Sequence, residues 1–199
     1  MNRKMWNLMG VVGLCFSVLF LFGQLSAEEG KAVEGKAAFT YTGAAKCKTC
    51  HSTAKSGGQY KLWEASLHAG AFKTLQTEAA NKIAQEKGIK VPAAEAPECL
   101  GCHVTAHGAA AEVRGAVTNE EGVGCESCHG PGSEYFKMSV MKQLYAGEIE
   151  GATVGLTEAN EALCVTCHNE KSPTFKGFKF DEYAAKIAHP IPAAAPATE

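Results

Sequence analysis

Four short segments of the sequence repeat one arrangement of reactive side chains, in which two cysteines separated by two residues are followed directly by a histidine. Cysteines three positions apart lie on one side of a helical turn, so their sulfurs can bond the two vinyl groups of a single porphyrin. The histidine that follows can then bind the iron from the same side. The segments are the first motif Cys47–His51, the second motif Cys99–His103, the third motif Cys125–His129 and the fourth motif Cys164–His168.

The four motifs predict four covalently bound haem c groups, each with one iron. A zinc ribbon needs only two such cysteine pairs, and a disulfide framework has no use for a histidine after each pair. We therefore expect every motif cysteine to bind haem and every motif histidine to bind iron. The predicted haem-binding cysteines are Cys47, Cys50, Cys99, Cys102, Cys125, Cys128, Cys164 and Cys167, and the predicted proximal ligands are His51, His103, His129 and His168.

The remaining histidines limit how each iron can be completed. Four irons offer eight axial positions, whereas the sequence contains seven histidines, so one position cannot be filled by histidine. The candidates for the opposite faces are His68, His107 and His189. If His103 and His107 share a helix, they project from one side of it, whereas two ligands of one iron must approach from opposite sides. His107 therefore binds a neighbouring haem or is not a ligand.

Each of these candidates also has an interpretation without iron. His68 could be a partly buried histidine of a helix, His189 a cation at a helix C-terminus, and His107 a solvated surface residue. Methionine is another type of axial haem ligand, so Met138 or Met141 could fill a position, although methionines of an amphipathic helix more often pack in a core. The residues alone leave these alternatives open.

The composition indicates that the haems supply most of the core. After residue 27, Leu, Ile, Val and Phe make up 27 of 172 residues, which is below the roughly 20% under which a chain tends to be disordered. The porphyrins must then provide most of the apolar surface that folding buries. We predict a largely unfolded chain without haem. With haem we predict a compact, mainly α fold, in which helices and long loops wrap around the four groups with little or no β-structure.

Apolar periodicity predicts helices around the motifs. The stretch Tyr60–Lys87 predicts one amphipathic helix that contains His68 and ends at Gly88. The other predicted helices are Glu134–Ala146, one that Thr157 caps before the fourth motif, and one that Asp181 caps and that runs through Ile187.

The N-terminus has the features of a secretory signal peptide. Arg3 and Lys4 precede the apolar run Leu8–Gly23, and Leu25-Ser26-Ala27 then offers a cleavage site that ends in small residues. The run is shorter than the roughly 20 apolar residues that cross a bilayer, and an uncleaved anchor is the alternative interpretation. We predict export to a bacterial periplasm. The predicted organisation is a cleaved signal peptide at 1–27, a flexible arm at 28–43, a tetrahaem domain at 44–190 and a disordered Pro/Ala-rich tail at 191–199.

Longer stretches around the motifs resemble the tetrahaem cytochrome c-554 family. They are WEASLHAGAFKTL after the first motif, CLGCHVTAHG at the second, GVGCESCHGPGSEYF at the third and SPTFKGFKFDEYAAKIAH after the fourth. The resemblance implies a compact, mainly helical fold with closely packed haem pairs, three haems with two histidines each, and an open face on the haem of the second motif. It also implies that His68 and His189 are distal ligands and that His103 binds the open haem.

The sequence departs from the family pattern at one distal ligand. The family has a histidine shortly after the third motif, where this chain has none within Ser133–Met138, whereas His107 stands where no family histidine is expected. Either His107 takes the missing role from a new direction, or Met138 or Met141 does, or two haems are open.

These features predict a periplasmic protein that carries electrons between redox partners through closely packed haems. Ligation by two histidines keeps haem potentials low relative to histidine and methionine. The first alternative is a redox enzyme that acts on nitric oxide or another nitrogen oxide at an open iron, although the sequence supplies no identifiable proton donor. The second is a filament subunit in which a histidine of one protomer binds the haem of its neighbour.

The charge of the chain predicts its partners. The formal charge of −2 becomes −4 when Arg3 and Lys4 leave with the signal peptide, which argues against a nucleic-acid partner. We expect redox partners with basic docking surfaces, whose association salt should weaken. A small nitrogen oxide is a possible ligand of one haem, and membrane contact is expected only through the signal segment before cleavage.

Overall fold

The computed structural model describes residues 39–191, and this part of the chain consists of short helices joined by turns and loops. No strand occurs in it, so the prediction of a mainly α fold with little or no β-structure is confirmed there. Three short 3-10 segments, at Ala54–Ser56, Asn119–Glu121 and Gly151–Val154, lie between the helices. The α-helices are α1 Ala44–His51, α2 Gln59–Glu64, α3 Ala71–Leu75, α4 Glu78–Glu86, α5 Pro97–His103, α6 Ala111–Arg114, α7 Cys125–His129, α8 Met138–Tyr145, α9 Glu161–Cys164 and α10 Phe180–Ile187.

The predicted signal peptide at 1–27, most of the predicted arm and nearly all of the predicted tail lie outside the described residues. Between residues 39 and 191, no helix combines the length and the apolar character that crossing a membrane requires. Residues 39–43, which the sequence assigned to the arm, are hydrogen-bonded to the domain, since the backbone N–H of Tyr41 donates to the carbonyl of Val113 at 2.9 Å. The contacts of the domain therefore begin before residue 44.

The main apolar cluster joins α3, α4 and α5. Phe72 and Leu75 of α3 pack with Ala84 of α4 and with Leu100 of α5. Buried residues on either side of α5 complete the cluster. The cluster is small for a chain of this length, as the scarcity of Leu, Ile, Val and Phe in the sequence requires. It holds the second motif against the segment that follows His68.

The single helix predicted over Tyr60–Lys87 is wrong, because the structure divides this stretch into α2, α3 and α4. The first break lies around His68, whose carbonyl accepts the backbone N–H of Val123 at 3.0 Å and is thereby taken out of a helical ladder. The second lies at Thr77, whose side chain accepts the N–H of Ala80 and caps α4. The predicted end at Gly88 is confirmed, since this glycine follows α4 with a φ of +76°.

The other predicted helices are present with different starts. The helix expected from Glu134 begins four residues later as α8. Asn160, not Thr157, caps α9, since its side chain accepts the N–H of Leu163 at 3.0 Å. Thr157 instead contacts the third motif, with its hydroxyl donating to the carbonyl of Cys128 at 3.0 Å. The last helix, α10, ends at Ile187 as expected, but the predicted cap is wrong: Asp181 is its second residue, and Lys179 precedes the helix without a side-chain cap bond.

Candidate haem-binding site

Each cysteine motif lies on a short helix or at the end of one. The first, second and third motifs occupy α1, the C-terminal part of α5 and the whole of α7, so their paired cysteines lie on one side of a single helical turn. The fourth begins at the last residue of α9 and continues through a turn. All eight motif cysteines have free thiols in the described chain. The local geometry in the first three motifs is the one that two thioether bonds to one porphyrin require.

Cysteines of different motifs lie side by side. The thiols of Cys47 and Cys125 lie close enough to interact, which lowers the pKa of Cys47 and, together with burial, raises the pKa of Cys125. Burial and the neighbouring thiol of Cys167 raise the pKa of Cys102 to about 11. Thioether bonds replace these protons when haem is attached. What the interactions then still indicate is which motifs lie close together. The first motif adjoins the third, and the second adjoins the fourth.

A longer-range electrostatic interaction connects these two pairs of motifs. Burial, followed by the charges of Cys164 and Cys167, raises the pKa of the Cys128 thiol. The third motif therefore lies within electrostatic range of the fourth. Along the molecule, neighbouring motifs follow the order first, third, fourth, second.

Two of the candidate distal histidines face motif histidines. The ring centroids of His68 and His168 lie 6.0 Å apart, with the ring planes at 75°. The centroids of His129 and His189 lie 5.8 Å apart, with the planes at 44°. An imidazole nitrogen binds a metal at roughly 2 Å, and the ring centre lies roughly 1 Å behind it, so two imidazoles on one iron have centroids roughly 6 Å apart. Both pairs have the spacing that an iron between the rings requires.

The environment of these pairs keeps two of the rings neutral. Burial, and then the nearby His168, lowers the pKa of His68. Burial, and then His189 and His51, lowers the pKa of His129. Metal binding uses the neutral imidazole. The lowered pKa values therefore favour the protonation state that a ligand needs.

Hydrogen bonds orient two further motif histidines. Nδ1 of His103 lies 2.8 Å from the carbonyl oxygen of Ala71. Since a carbonyl only accepts, this Nδ1 carries the hydrogen and leaves Nε2 free for a metal. Nδ1 of His51 lies 3.3 Å from the side-chain oxygen of Gln59. Neither His51 nor His103 faces another histidine ring within the described part of the chain.

His107 does not share a helix with His103. The condition under which the two histidines would project from one side of one helix is therefore not met. Helix α5 ends at His103, Val104 is extended, and Ala106 has a φ of +55°. The chain turns there because the buried Thr105 bonds to the segment before the third motif, with its hydroxyl accepting the N–H of Gly124 at 2.7 Å. His107 is exposed in this turn.

The two candidate methionines lie on α8. Met138 begins α8 and is 57% exposed, whereas Met141 is half-buried one turn later.

Two aromatic residues pack beside the histidine of the fourth motif. His168 stacks on Phe178, with centroids 4.9 Å apart, and also contacts Tyr183. Neither residue was predicted from the sequence, although the aromatic run before α10 is a signal that a residue of this segment packs on a ring.

A buried carboxylate inside the third motif was also missed. The side chain of Glu126 is 3% exposed and accepts backbone N–H groups from Thr42 at 2.9 Å, Gly43 at 2.7 Å and Gly132 at 2.6 Å. Glu121 accepts the N–H of Ala44 at 2.8 Å. These carboxylates satisfy the N–H groups at the start of α1, which has no side-chain cap of its own. No sequence signal distinguishes this glutamate from an exposed one.

The space beside the third motif fits a large apolar group. A cavity of about 680 Å³ adjoins His129, and the loop between α8 and α9 lines it, including Ala152, Leu156 and Ala159. Its size lies within the range of small-molecule and cofactor sites. The residues present fit a haem group, as the two imidazole pairs and this cavity show.

Comparisons of the sequence with known proteins agree with this chemistry. Residues 46–130 match the family described as cytochrome c554 and c-prime. The chain is 31% identical to cytochrome c-554 of Nitrosomonas europaea over 191 residues, an alignment that covers 87% of this chain and 74% of that protein. It is also similar to the solved structure of the reduced state of cytochrome c554 from the same organism, with 28% identity, a TM-score of 0.46, and coverage of 76% of this chain and 79% of that chain.

Proposed function

The chain belongs to the cytochrome c-554 family, and from that premise we propose that it is a periplasmic tetrahaem cytochrome that carries electrons between redox partners. Membership of the family supports an electron-transfer protein with covalently bound haem c. The number of haems follows from the four motifs. Export follows from the N-terminal sequence, whose apolar run and small residues are typical of a signal peptide.

The observation that carries the proposal is the pairing of histidine rings at the spacing of two ligands on one iron. His68 is the distal ligand of the haem held by His168, at 6.0 Å between centroids. His189 is the distal ligand of the haem held by His129, at 5.8 Å. Two imidazoles on one iron favour a low potential and a small change of geometry between the oxidised and reduced forms. Such sites suit electron transfer.

The neighbouring positions of the motifs support a continuous path for electrons. Interactions between cysteine thiols support a first motif beside the third and a fourth beside the second, and electrostatic coupling of Cys128 with Cys164 and Cys167 supports a third motif near the fourth. When bound, haem iron supplies one-electron exchange between ferric and ferrous states. The protein contributes the spacing, because the helices that carry the cysteines fix where each porphyrin edge lies.

A second activity is supported by the family resemblance, which implies an open face on the haem of the second motif. Nδ1 of His103 is held by the carbonyl of Ala71, and within the described chain His103, like His51, faces no other histidine ring. An iron held by His103 without a second protein ligand would be able to bind nitric oxide or a related small nitrogen oxide. Reduction of such a ligand at the second motif is therefore the alternative function.

The distribution of charge supports partners with basic docking surfaces. Between residues 148 and 170 the chain has five glutamates and neither lysine nor arginine. All five are exposed, and the segment leads into and out of the fourth motif. We propose that a basic partner docks here, next to the haem that His168 holds. The glutamates are Glu148, Glu150, Glu158, Glu161 and Glu170.

The mass of the exported protein tests the haem assignment. The intact chain should be heavier than the bare polypeptide by four haem groups. Replacing both cysteines of the first motif, Cys47→Ala with Cys50→Ala, should remove one haem, whereas Thr49→Ala between them should remove none. A mass equal to that of the bare chain would overturn the proposal.

A further inference from the structure

Two of the three hydrogen bonds of the Gln59 side chain connect it to haem-binding segments, and the third is to the neighbouring turn. It is the first residue of α2 and is half-buried. Its Oε1 lies 3.3 Å from Nδ1 of His51, and its Nε2 donates to the carbonyl of Pro190 at 2.9 Å and to the carbonyl of Ser56. Pro190 directly follows His189. One amide group therefore contacts the proximal histidine of the first motif and the segment that carries the histidine facing the third motif.

The bonds fix which way the amide points. Carbonyl oxygens only accept hydrogen bonds, so the two carbonyls must face the NH₂ group of Gln59. Its oxygen is then left for His51, whose Nδ1 must carry the hydrogen. The lone pair of the His51 ring lies on Nε2 as a result, which is the atom left free for iron.

The backbone beside this amide leaves no space for a different arrangement. Gly57 has a φ of +98°, a conformation that residues with side chains rarely adopt. A Cβ atom at this position would lie 2.7 Å from Nε2 of Gln59 and 2.7 Å from the carbonyl oxygen of Pro190. The close approach of three chain segments therefore depends on the glycine as well as on the amide.

We propose that Gln59 is a positioning residue that holds the His51 ring in its Nε2-binding form and ties it to the segment presenting His189. The inference rests on the proposed function, because it concerns the ligands of two haems. It goes further because it assigns to one neutral side chain an influence on two haems, those held by His51 and by His129. The acceptor on Nδ1 makes the His51 ring a stronger electron donor, and the donor to Pro190 limits the movement of an otherwise exposed histidine.

The replacements Gln59→Leu and Gln59→Glu separate these two effects. Leucine removes the acceptor, so the potential of the haem held by His51 should shift upward. Glutamate supplies a charged acceptor, so the same potential should shift downward at neutral pH. In both variants the contact with Pro190 is lost, because a carboxylate and a carbonyl both only accept. His189 should then leave its iron more readily, and a high-spin ferric signal should increase in both.

The measurement is a potentiometric titration of the holoprotein, followed by electron paramagnetic resonance of the ferric form, with the haem count of each variant taken from its mass. Gln85→Leu is the matched control, since Gln85 is exposed on α4, and it should leave all four potentials unchanged. Opposite shifts in the leucine and glutamate variants support the inference, because a general loosening of the fold would shift both in one direction.

Shifts of one sign, or unchanged potentials in variants that carry four haems, would overturn the inference and leave the proposed function intact. If the leucine variant does not fold, the glutamate variant alone decides, and a potential that stays equal or rises would count against the inference. A wild-type protein without covalent haem would overturn the proposed function and this inference with it.

Discussion

The rings of His68 and His168 face each other with centroids 6.0 Å apart, although one lies in the turn between α2 and α3 and the other ends the fourth motif. His168 also stacks on Phe178, which holds its ring plane. His68 is held through its carbonyl, which accepts the N–H groups of Ala71 and Val123. Backbone hydrogen bonds therefore hold the segment of His68, and stacking on Phe178 holds the ring of His168. The two imidazoles are fixed independently of each other.

Replacing His68 by alanine should open one haem. The iron held by His168 loses its second ligand, so the ferric protein should gain one high-spin haem in electron paramagnetic resonance, and the reduced protein should bind carbon monoxide at one additional site. His107→Ala is the matched control, because His107 is exposed in a turn and faces no other histidine. A high-spin signal in the control would show that His107 is a ligand, and an unchanged spectrum of the His68 variant would refute the pairing.

Replacing Glu126 by alanine should destabilise the domain strongly. The change removes the acceptor of buried N–H groups of Gly43 and Gly132, and each buried donor left without a partner costs about 1–3 kcal/mol. We expect the free energy of unfolding of the holoprotein to fall by about 3 kcal/mol or more in a urea titration. Glu86→Ala, at an exposed site on α4, should change it by no more than about 0.5 kcal/mol. A loss below about 1 kcal/mol for the Glu126 variant would contradict this account.

Replacing Glu121 by glutamine should change how stability depends on pH. Burial is the main cause that raises the pKa of this carboxyl in the folded protein. The folded state therefore holds the proton more tightly than the unfolded state, and the stabilisation this gives at low pH is lost as the pH rises through the folded pKa. Glutamine keeps an acceptor for Ala44 and does not titrate. The variant should gain in unfolding free energy relative to wild type as the pH rises above the ordinary carboxyl range near about 4, measured by urea titrations at each pH. A difference that stays constant or shrinks would refute the argument.

Reversing charge beside the fourth motif should slow reaction with cationic redox partners. The paired change Glu158→Lys with Glu161→Lys places two positive charges in the acidic segment, so reduction by the hexaammineruthenium(II) cation should slow at low ionic strength, and added salt should reduce the difference. Glu78→Lys with Glu86→Lys on α4 alters the net charge equally and serves as the control. Equal rates for both double variants in stopped-flow measurements would mean that net charge, and not its location, governs the reaction.

The parts of the site that sequence predicted are those fixed by local spacing. The cysteine motifs need only one turn of helix, and the first three lie on helices as expected. His68 and His189 could be selected as candidates because few histidines lie outside the motifs. Their partners could not be selected, because each pairing joins segments that are far apart in the chain and only the fold brings them together.

Long-range hydrogen bonds also explain where the predicted elements failed. The apolar period from Tyr60 onward is real, yet the bond between the His68 carbonyl and Val123 interrupts the helix at the histidine that faces the fourth motif. The apolar pattern of residues 60–87 carries no information about Val123, which lies outside that segment. The same holds for Gln59 and Glu126, whose ordinary positions in the sequence give no sign of the carbonyls and N–H groups they meet.

The hydrogen bond between Glu126 and Gly43 sets an order of events during synthesis. The two residues are 83 positions apart, and a ribosome that adds roughly 5–20 residues per second needs roughly 4–17 s to cover that interval. Throughout this time the leading N–H groups of the segment that carries the first cysteine pair can bond only to water or to local partners. The segment made first is thus completed by one made much later, so this end of the domain cannot close before Glu126 has been made.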